Sequence, residues 1–175
     1  TDNIPDREEL PATNLRGASD PLDFDSPRSR KAMYLNGNAA LRTRYPYNYF
    51  HWEMTSYTVE MWIRAEKPVG GGIQTLIERP VYAPVDLKNV SSGYAIRRTF
   101  RLTLTDDGKI RAELDNDALA TFSTETTASN GRLAPNVWYH VAVSMDSTAN
   151  RLNLYINGQL MQSVICDIKP TTGNF

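Results

Sequence analysis

The sequence predicts an all-β fold, an antiparallel sandwich of two sheets. Two observations carry this expectation. Short runs of alternating apolar and polar residues recur along most of the chain, separated at fairly even spacing by turns rich in Gly, Asn and Asp. Nowhere does the 3.6-residue periodicity of an amphipathic helix persist for three turns, so helices have no place in the layers.

The first thirty residues stand apart. They are rich in Pro, Asp, Arg and Ser and nearly free of apolar periodicity. Asp20-Pro21-Leu22-Asp23-Phe24-Asp25-Ser26-Pro27 is loop-like, with room for one short edge strand. Residues 1–30 are therefore expected to be a linker or an N-terminal arm that wraps the domain, and residues 31–175 the domain itself.

From Ala32 the pattern becomes regular. Ala32-Met33-Tyr34-Leu35, Asn36-Gly37-Asn38 and Ala39-Ala40-Leu41 read as strand, turn and strand, with Asn-Gly supplying the positive φ angles of a tight hairpin. In Thr58 to Arg64, alternation places Val59, Met61 and Ile63 on one face and Glu60, Trp62 and Arg64 on the other. Gly70-Gly71-Gly72 breaks the chain before a strand at Gln74 to Ile77. Residues 80–92 carry two prolines and little pattern, and are expected to form a long loop.

A hairpin follows, with Tyr94 to Leu104 running out, Asp106-Asp107-Gly108 turning and Lys109 to Leu114 returning. The threonine-rich stretch from Asp115 to Asn130 has one short strand at Ala120-Thr121-Phe122. Three strands complete the chain: Trp138 to Met145, Leu152 to Ile156 and Leu160 to Ile168. Turns at Ser147 to Asn150 and at Asn157-Gly158 join them.

Composition limits the function classes. The 175 residues suit one domain, and 41% hydrophobic content is too high for general disorder. A formal charge of −1 gives no bulk attraction to nucleic acid or an anionic membrane. No run of 18 apolar residues exists to span a bilayer, and the N-terminus lacks the basic and apolar regions of a signal peptide. Cys166 is the single cysteine, so no intrachain disulfide forms, and it reads as a buried strand residue. With one Cys and two His (His51 and His140), a Cys/His metal site is excluded by count.

The last third carries a resemblance. Leu133-Ala134-Pro135-Asn136-Val137-Trp138-Tyr139-His140-Val141-Ala142-Val143, then Asp146, then Leu152-Asn153-Leu154-Tyr155-Ile156-Asn157-Gly158, is similar to the laminin-G-like jelly-roll domains of the concanavalin A-like lectin/glucanase superfamily. Ala32 to Gly37 and Tyr57 to Ile63 match in order, so the resemblance covers about residues 32–165. It implies a two-sheet jelly-roll sandwich. It does not imply a ligand, because this fold carries lectins, adhesion modules, glycosidases and spacers. Domains of this type continue with a Gly-bearing strand and a closing strand, whereas this sequence stops at Phe175. The expected domain is thus one closing strand short. Closure then comes from the N-terminal arm or from another segment, or the chain is a fragment. An unpaired sheet edge invites pairing with another chain.

Candidate sites follow from the alternation. His140 and Asp146 cannot form an acid–base pair within their strand, since they lie about 20 Å apart along it. Glycosidases of this fold carry a Glu-x-Asp-x-x-Glu strand, but Trp62 stands at the middle position and Arg64 follows. A retaining carboxylate pair is therefore not expected, and neither is an enzyme. Trp62 and Trp138 suit sugar stacking, and equally the packing role that the family gives a recurring Trp. Arg97, Thr99 and Arg101 are expected on one side, joined by Lys109 and Arg111 across the turn. This basic stripe would suit sulfated glycans or an acidic protein patch, unless Glu113, Asp106 and Asp107 neutralise it. Asp115-Asn116-Asp117 is the best local cluster for calcium, which the resemblance also allows.

The functional expectation is a non-catalytic recognition or adhesion module of a larger surface or secreted protein, extracellular, binding glycan or protein. The alternative is a structural subunit or spacer of an extracellular assembly, self-associating through its arm and open edge.

Overall fold

The structure, a computed structural model, describes residues 15–17, 31–33, 35, 55–86, 88–126 and 131–171. Two compact units divide the chain, Thr1–Phe50 and His51–Phe175. In the first, β1 (Leu15–Gly17) pairs antiparallel with β2 (Lys31–Met33), Arg16 opposite Ala32. The expected boundary between residues 30 and 31 therefore falls between two paired strands. The expected loop Asp20 to Pro27, the turn Asn36-Gly37-Asn38 and the strand Ala39 to Leu41 lie outside the described residues.

The second unit is a sandwich of two four-stranded antiparallel sheets. One has the order β10-β9-β8-β3, built from β3 (Tyr57–Arg64), β8 (Trp138–Asp146), β9 (Arg151–Ile156) and β10 (Gln159–Ile165). The other has the order β4-β5-β6-β7, built from β4 (Gln74–Asp86), β5 (Asn89–Leu104), β6 (Ile110–Asp115) and β7 (Thr121–Glu125). No α-helix occurs among the described residues.

The core lies where the inner faces meet. Val141, Val143 and Met145 of β8 and Leu152, Leu154 and Ile156 of β9 are buried against Leu102, Leu104, Ile110 and Leu114 of the other sheet. Val59, Met61 and Ile63 pack against this cluster from β3, as their alternation predicts. Each such aliphatic contributes about 1.5–3 kcal/mol on full burial. Cys166 is fully buried just after β10, and its Sγ donates to the Ile168 carbonyl at 3.3 Å. Burial holds its thiol above the usual range.

Residues 80–92 are not a long loop. They are the far end of the hairpin formed by β4 and β5, in which Pro84 stands opposite Tyr94 and Asp86 opposite Asn89. The prolines are tolerated because β4 is an edge strand and because the register shifts at Arg79/Pro80 and again at Pro84/Asp86. The first shift also changes the sides that β5 presents. Arg98 pairs with Pro80 and Phe100 with Arg79, so Thr99 is the extra residue of a bulge. Thr99 and Phe100 are both buried, and the parity of the residues before the bulge is inverted relative to those after it.

Two turns fix the hairpins as their sequences require. At Asp106-Asp107-Gly108, the Gly108 amide donates to the Thr105 carbonyl at 2.9 Å and the Thr105 amide to the Lys109 carbonyl at 2.8 Å. Gly108 takes φ 81°, the left-handed residue of a three-residue hairpin. Asn157 and Gly158 take φ 51° and 76°, the positive pair of a two-residue turn between β9 and β10.

Candidate functional site

The outer face of the β3–β8–β9 sheet concentrates aromatic and polar side chains. Register sets Trp62 opposite His140, Glu60 opposite Ala142 and Arg64 opposite Trp138. Continuing across β9, Ala142 faces Tyr155 and Ser144 faces Asn153. Because side chains alternate, these residues share the face turned away from the core. Trp62 is 49% exposed, which leaves about half of its indole open to a ligand. Its ring lies 5.4 Å from the His140 imidazole, inclined at 56°.

His140 is held from three sides. Its backbone N–H donates to the Asn157 side-chain oxygen at 2.9 Å, and the Asn157 N–H donates back to the His140 carbonyl at 2.7 Å. Asn157 thereby locks the β9–β10 turn onto β8, a physical reason for Asn-Gly to accompany the Trp-x-His strand. The third contact is Glu60, whose Oε2 lies 3.4 Å from His140 Nε2. The Glu60 carboxylate itself is largely in solvent. Six residues of strand separate His140 from Asp146 on the same face, and Asp146 Oδ1 instead accepts the Thr148 and Ala149 amides; the reading along this one strand is right about that distance. It overlooks Glu60, which comes from the neighbouring strand. The available signal was parity: Glu60 and His140 both lie on the outward sides of their strands, and those strands are neighbours.

At the upper end of this face, the Arg64 guanidinium lies over the Trp138 ring, 5.6 Å from its centroid. Trp138 Nε1 is buried and has no hydrogen-bond partner among the described residues. Towards β9, Asn153 Nδ2 donates to Ser144 Oγ at 3.3 Å, and Tyr155 is half-buried. Ala142, the smallest side chain of the face, stands between Glu60 and Tyr155.

The expected basic stripe is reorganised by the bulge at Thr99. Arg97 does not share a face with Arg101: it is fully buried, and its guanidinium donates to the carbonyls of Asp117 (3.0 Å) and Val85 (3.2 Å). Arg98 takes the outward position instead. The outer face of the second sheet then alternates in charge. Arg98 and Arg101 share Glu78, at 3.5 and 3.7 Å, and Arg101 also reaches Glu113 at 3.4 Å. Arg111 Nε donates to Glu125 at 2.7 Å, and Lys109 bridges Asp107 at 2.8 Å and Glu125 at 3.8 Å. Asp106 is not part of this ladder; its carboxylate accepts the Gly72 amide at 2.8 Å. Arg101 and Arg111 are thus matched by carboxylates, and the face offers little net positive charge.

One carboxylate in this ladder is visibly tuned. Hydrogen bonds from Lys109 and Thr105 pull Asp107 down from 3.8 to about 2, with the charges of Lys109 and Arg132 acting in the same direction.

The candidate calcium ligands have protein partners. Asp115 is buried; Oδ2 accepts the Arg98 amide at 2.7 Å and Oδ1 the Thr121 hydroxyl at 2.7 Å. Asn116 Oδ1 accepts the Ala120 amide at 2.9 Å, and Asp117 Oδ1 accepts the Thr171 hydroxyl. Among the described residues no group of three or more His, Cys, Asp or Glu is placed to hold a metal ion. Calcium wants several oxygens converging on one point, whereas these point at separate donors.

Comparison with known proteins agrees with this architecture. The Laminin_G_3 family model, described as the concanavalin A-like lectin/glucanases superfamily, matches residues 37–175. No protein of curated function matches by sequence. Among solved structures, the binding domain of Paraclostridial Mosquitocidal Protein 1 superposes with a TM-score of 0.54 at 14% identity, covering 89% of this chain and 34% of that one. The leech intramolecular trans-sialidase, complexed with 2,7-anhydro-Neu5Ac, gives 0.50 at 22% identity, covering 69% and 17%. The Ruminococcus gnavus IT-sialidase CBM40 gives 0.48 at 18%, covering 68% and 58%. This chain therefore spans less than two thirds of each of these structures, and at such identities the likeness is one of fold. By its family match and its two antiparallel sheets, the chain belongs to the Laminin_G_3 family of the concanavalin A-like lectin/glucanases superfamily.

Proposed function

We propose that this domain is a non-catalytic glycan-recognition module of a larger extracellular or cell-surface protein, and that it binds through the outer face of β3 and β8. The observation that carries the reading is Trp62, exposed on the outer strand face between Glu60 and Arg64 and flanked by His140. A half-exposed indole offers an apolar plane that a ligand can cover. The apolar C–H face of a pyranose is well suited to do so, while carboxylate, imidazole and hydroxyl groups around the ring take the sugar hydroxyls. The superfamily is named for lectins and glucanases, which are carbohydrate-handling proteins. The non-catalytic part of the reading rests on Glu60. Trp62 and His140 flank it, where retaining hydrolysis would require a second carboxylate about 5 Å away. No helix among the described residues is long and apolar enough to cross a membrane.

The test is a glycan array probed with the wild-type protein and with Trp62→Ala. Retained binding by a folded Trp62→Ala protein counts against this face, and hydrolysis of any bound glycan counts against the non-catalytic assignment.

A second reading has its own observation. Leu160 and Ile165 are 55% and 70% exposed on β10, an edge strand of its sheet. An apolar edge of this kind favours strand pairing between chains, and with it a structural role in an assembly. Sedimentation of wild type against Ile165→Lys distinguishes it: a concentration-dependent oligomer that the lysine dissolves supports assembly.

A further inference from the structure

Resting on the glycan reading above, we propose that the ligand is a saccharide carrying a carboxylate, with Arg64 as the residue that selects it. Arg64 differs from the outward arginines of the opposite sheet. On the opposite sheet, Arg98, Arg101 and Arg111 each have a carboxylate within 3.7 Å, and Arg132 has Asp107 at 3.5 Å. Arg64 forms no ion pair among the described residues. Its guanidinium lies over the Trp138 ring, 5.6 Å from the centroid, and its N–H groups are not taken up by a carboxylate among the described residues. A guanidinium with its N–H groups uncommitted matches a planar carboxylate, which accepts two parallel N–H groups.

The surroundings give the site a direction. Glu60, Trp62 and Arg64 lie on one face of β3 at successive outward positions, about 6–7 Å apart along the strand. A pyranose stacked on Trp62 therefore has an anionic neighbour on one side and a cationic neighbour on the other. With its carboxylate towards Arg64, the sugar directs hydroxyl donors towards Glu60. Reversed, its carboxylate would face the Glu60 charge and be repelled. Glu60 thus enforces orientation rather than contributing affinity for the anion, and His140 positions Glu60.

The experiment compares matched probes by calorimetry: uronic-acid- and sialic-acid-terminated oligosaccharides, a sulfated counterpart, and the uncharged parent of each. The proposal expects at least one carboxylated probe to bind roughly tenfold or more tightly than its uncharged parent and than the sulfated form, with the preference weakening as salt rises. Arg64→Gln should reduce that ratio to near one while leaving binding of the uncharged parent intact, and Arg64→Lys should restore only part of it. Glu60→Gln should leave the carboxylate preference in place. Equal binding of acidic and neutral probes overturns the proposal and leaves glycan recognition standing. So does stronger binding of the sulfated probe, or a carboxylate preference that survives Arg64→Gln. If no saccharide binds a folded wild-type protein, both readings fall together.

Discussion

Trp62 and His140 stand directly opposite each other across β3 and β8, their rings 5.4 Å apart and their side chains on the side away from the core. The pair therefore contributes little to the packing between the sheets. Trp62→Ala is expected to change unfolding free energy by about 1 kcal/mol or less. Leu154→Ala, in a fully buried position, should cost about 2–5 kcal/mol. Denaturant titration of the two variants side by side makes the comparison. Equal losses would mean that Trp62 is a packing residue.

The bulge at Thr99 makes a second comparison informative. Arg97 is fully buried and holds two carbonyls from different loops and strands, whereas Arg101 sits in a partly solvated ion-pair ladder. Arg97→Ala is expected to lose about 3 kcal/mol, because it empties a fully buried side-chain site and removes the donors that tie Asp117 and Val85 together. Arg101→Ala should stay within about 1 kcal/mol. Simple alternation along β5 would have made the two variants alike.

Asn157 combines a backbone and a side-chain role, and two substitutions separate them. Asn157→Gly keeps the positive φ and loses only the acceptor for the His140 amide, for an expected cost of about 1 kcal/mol. Asn157→Ala also loses the tolerance of the left-handed region that Asn has and Ala lacks, and should cost about 2 kcal/mol. Thermal melts of both variants would rank them, and a milder effect from Ala than from Gly would contradict the account of the turn.

Asp107 sets an acid-side prediction. Its folded value of about 2 lies below the ordinary 3.8, so its contribution is fully present above about pH 4. That contribution is lost as pH falls towards 2. Stability curves of wild type and Asp107→Asn should therefore differ near neutrality and converge between pH 4 and 2. A gap that widens on acidification would reverse the sign and refute the assignment.

Much of this architecture was legible from residue pattern alone. Val59, Met61 and Ile63, and again Val141, Val143 and Met145, alternate cleanly because each strand has one buried face. The Asp106-Asp107-Gly108 and Asn157-Gly158 turns were readable because few residues accept positive φ. Two features were not. The β4–β5 hairpin was hidden by Pro80 and Pro84, which argue against a strand unless that strand is known to lie at an edge. The bulge at Thr99 was hidden because a bulge is a relation between two strands, and it inverts the face assignment of Arg97 without any local signal. The same limit explains the Glu60–His140 contact, which depends on which strands are neighbours. Asp115 looked like a metal ligand because its loop is acidic. Its hydrogen-bond partners, the Arg98 amide and the Thr121 hydroxyl, come from the neighbouring strands β5 and β7.

The central claim is that the outer face of β3 and β8 recognises saccharide through Trp62. The most direct measurement is a glycan array comparing wild type with Trp62→Ala, with folding of both confirmed by thermal melt. The account predicts defined glycan binding by wild type and its loss in a variant whose melting temperature is nearly unchanged. Undiminished binding by the Trp62→Ala protein would contradict it.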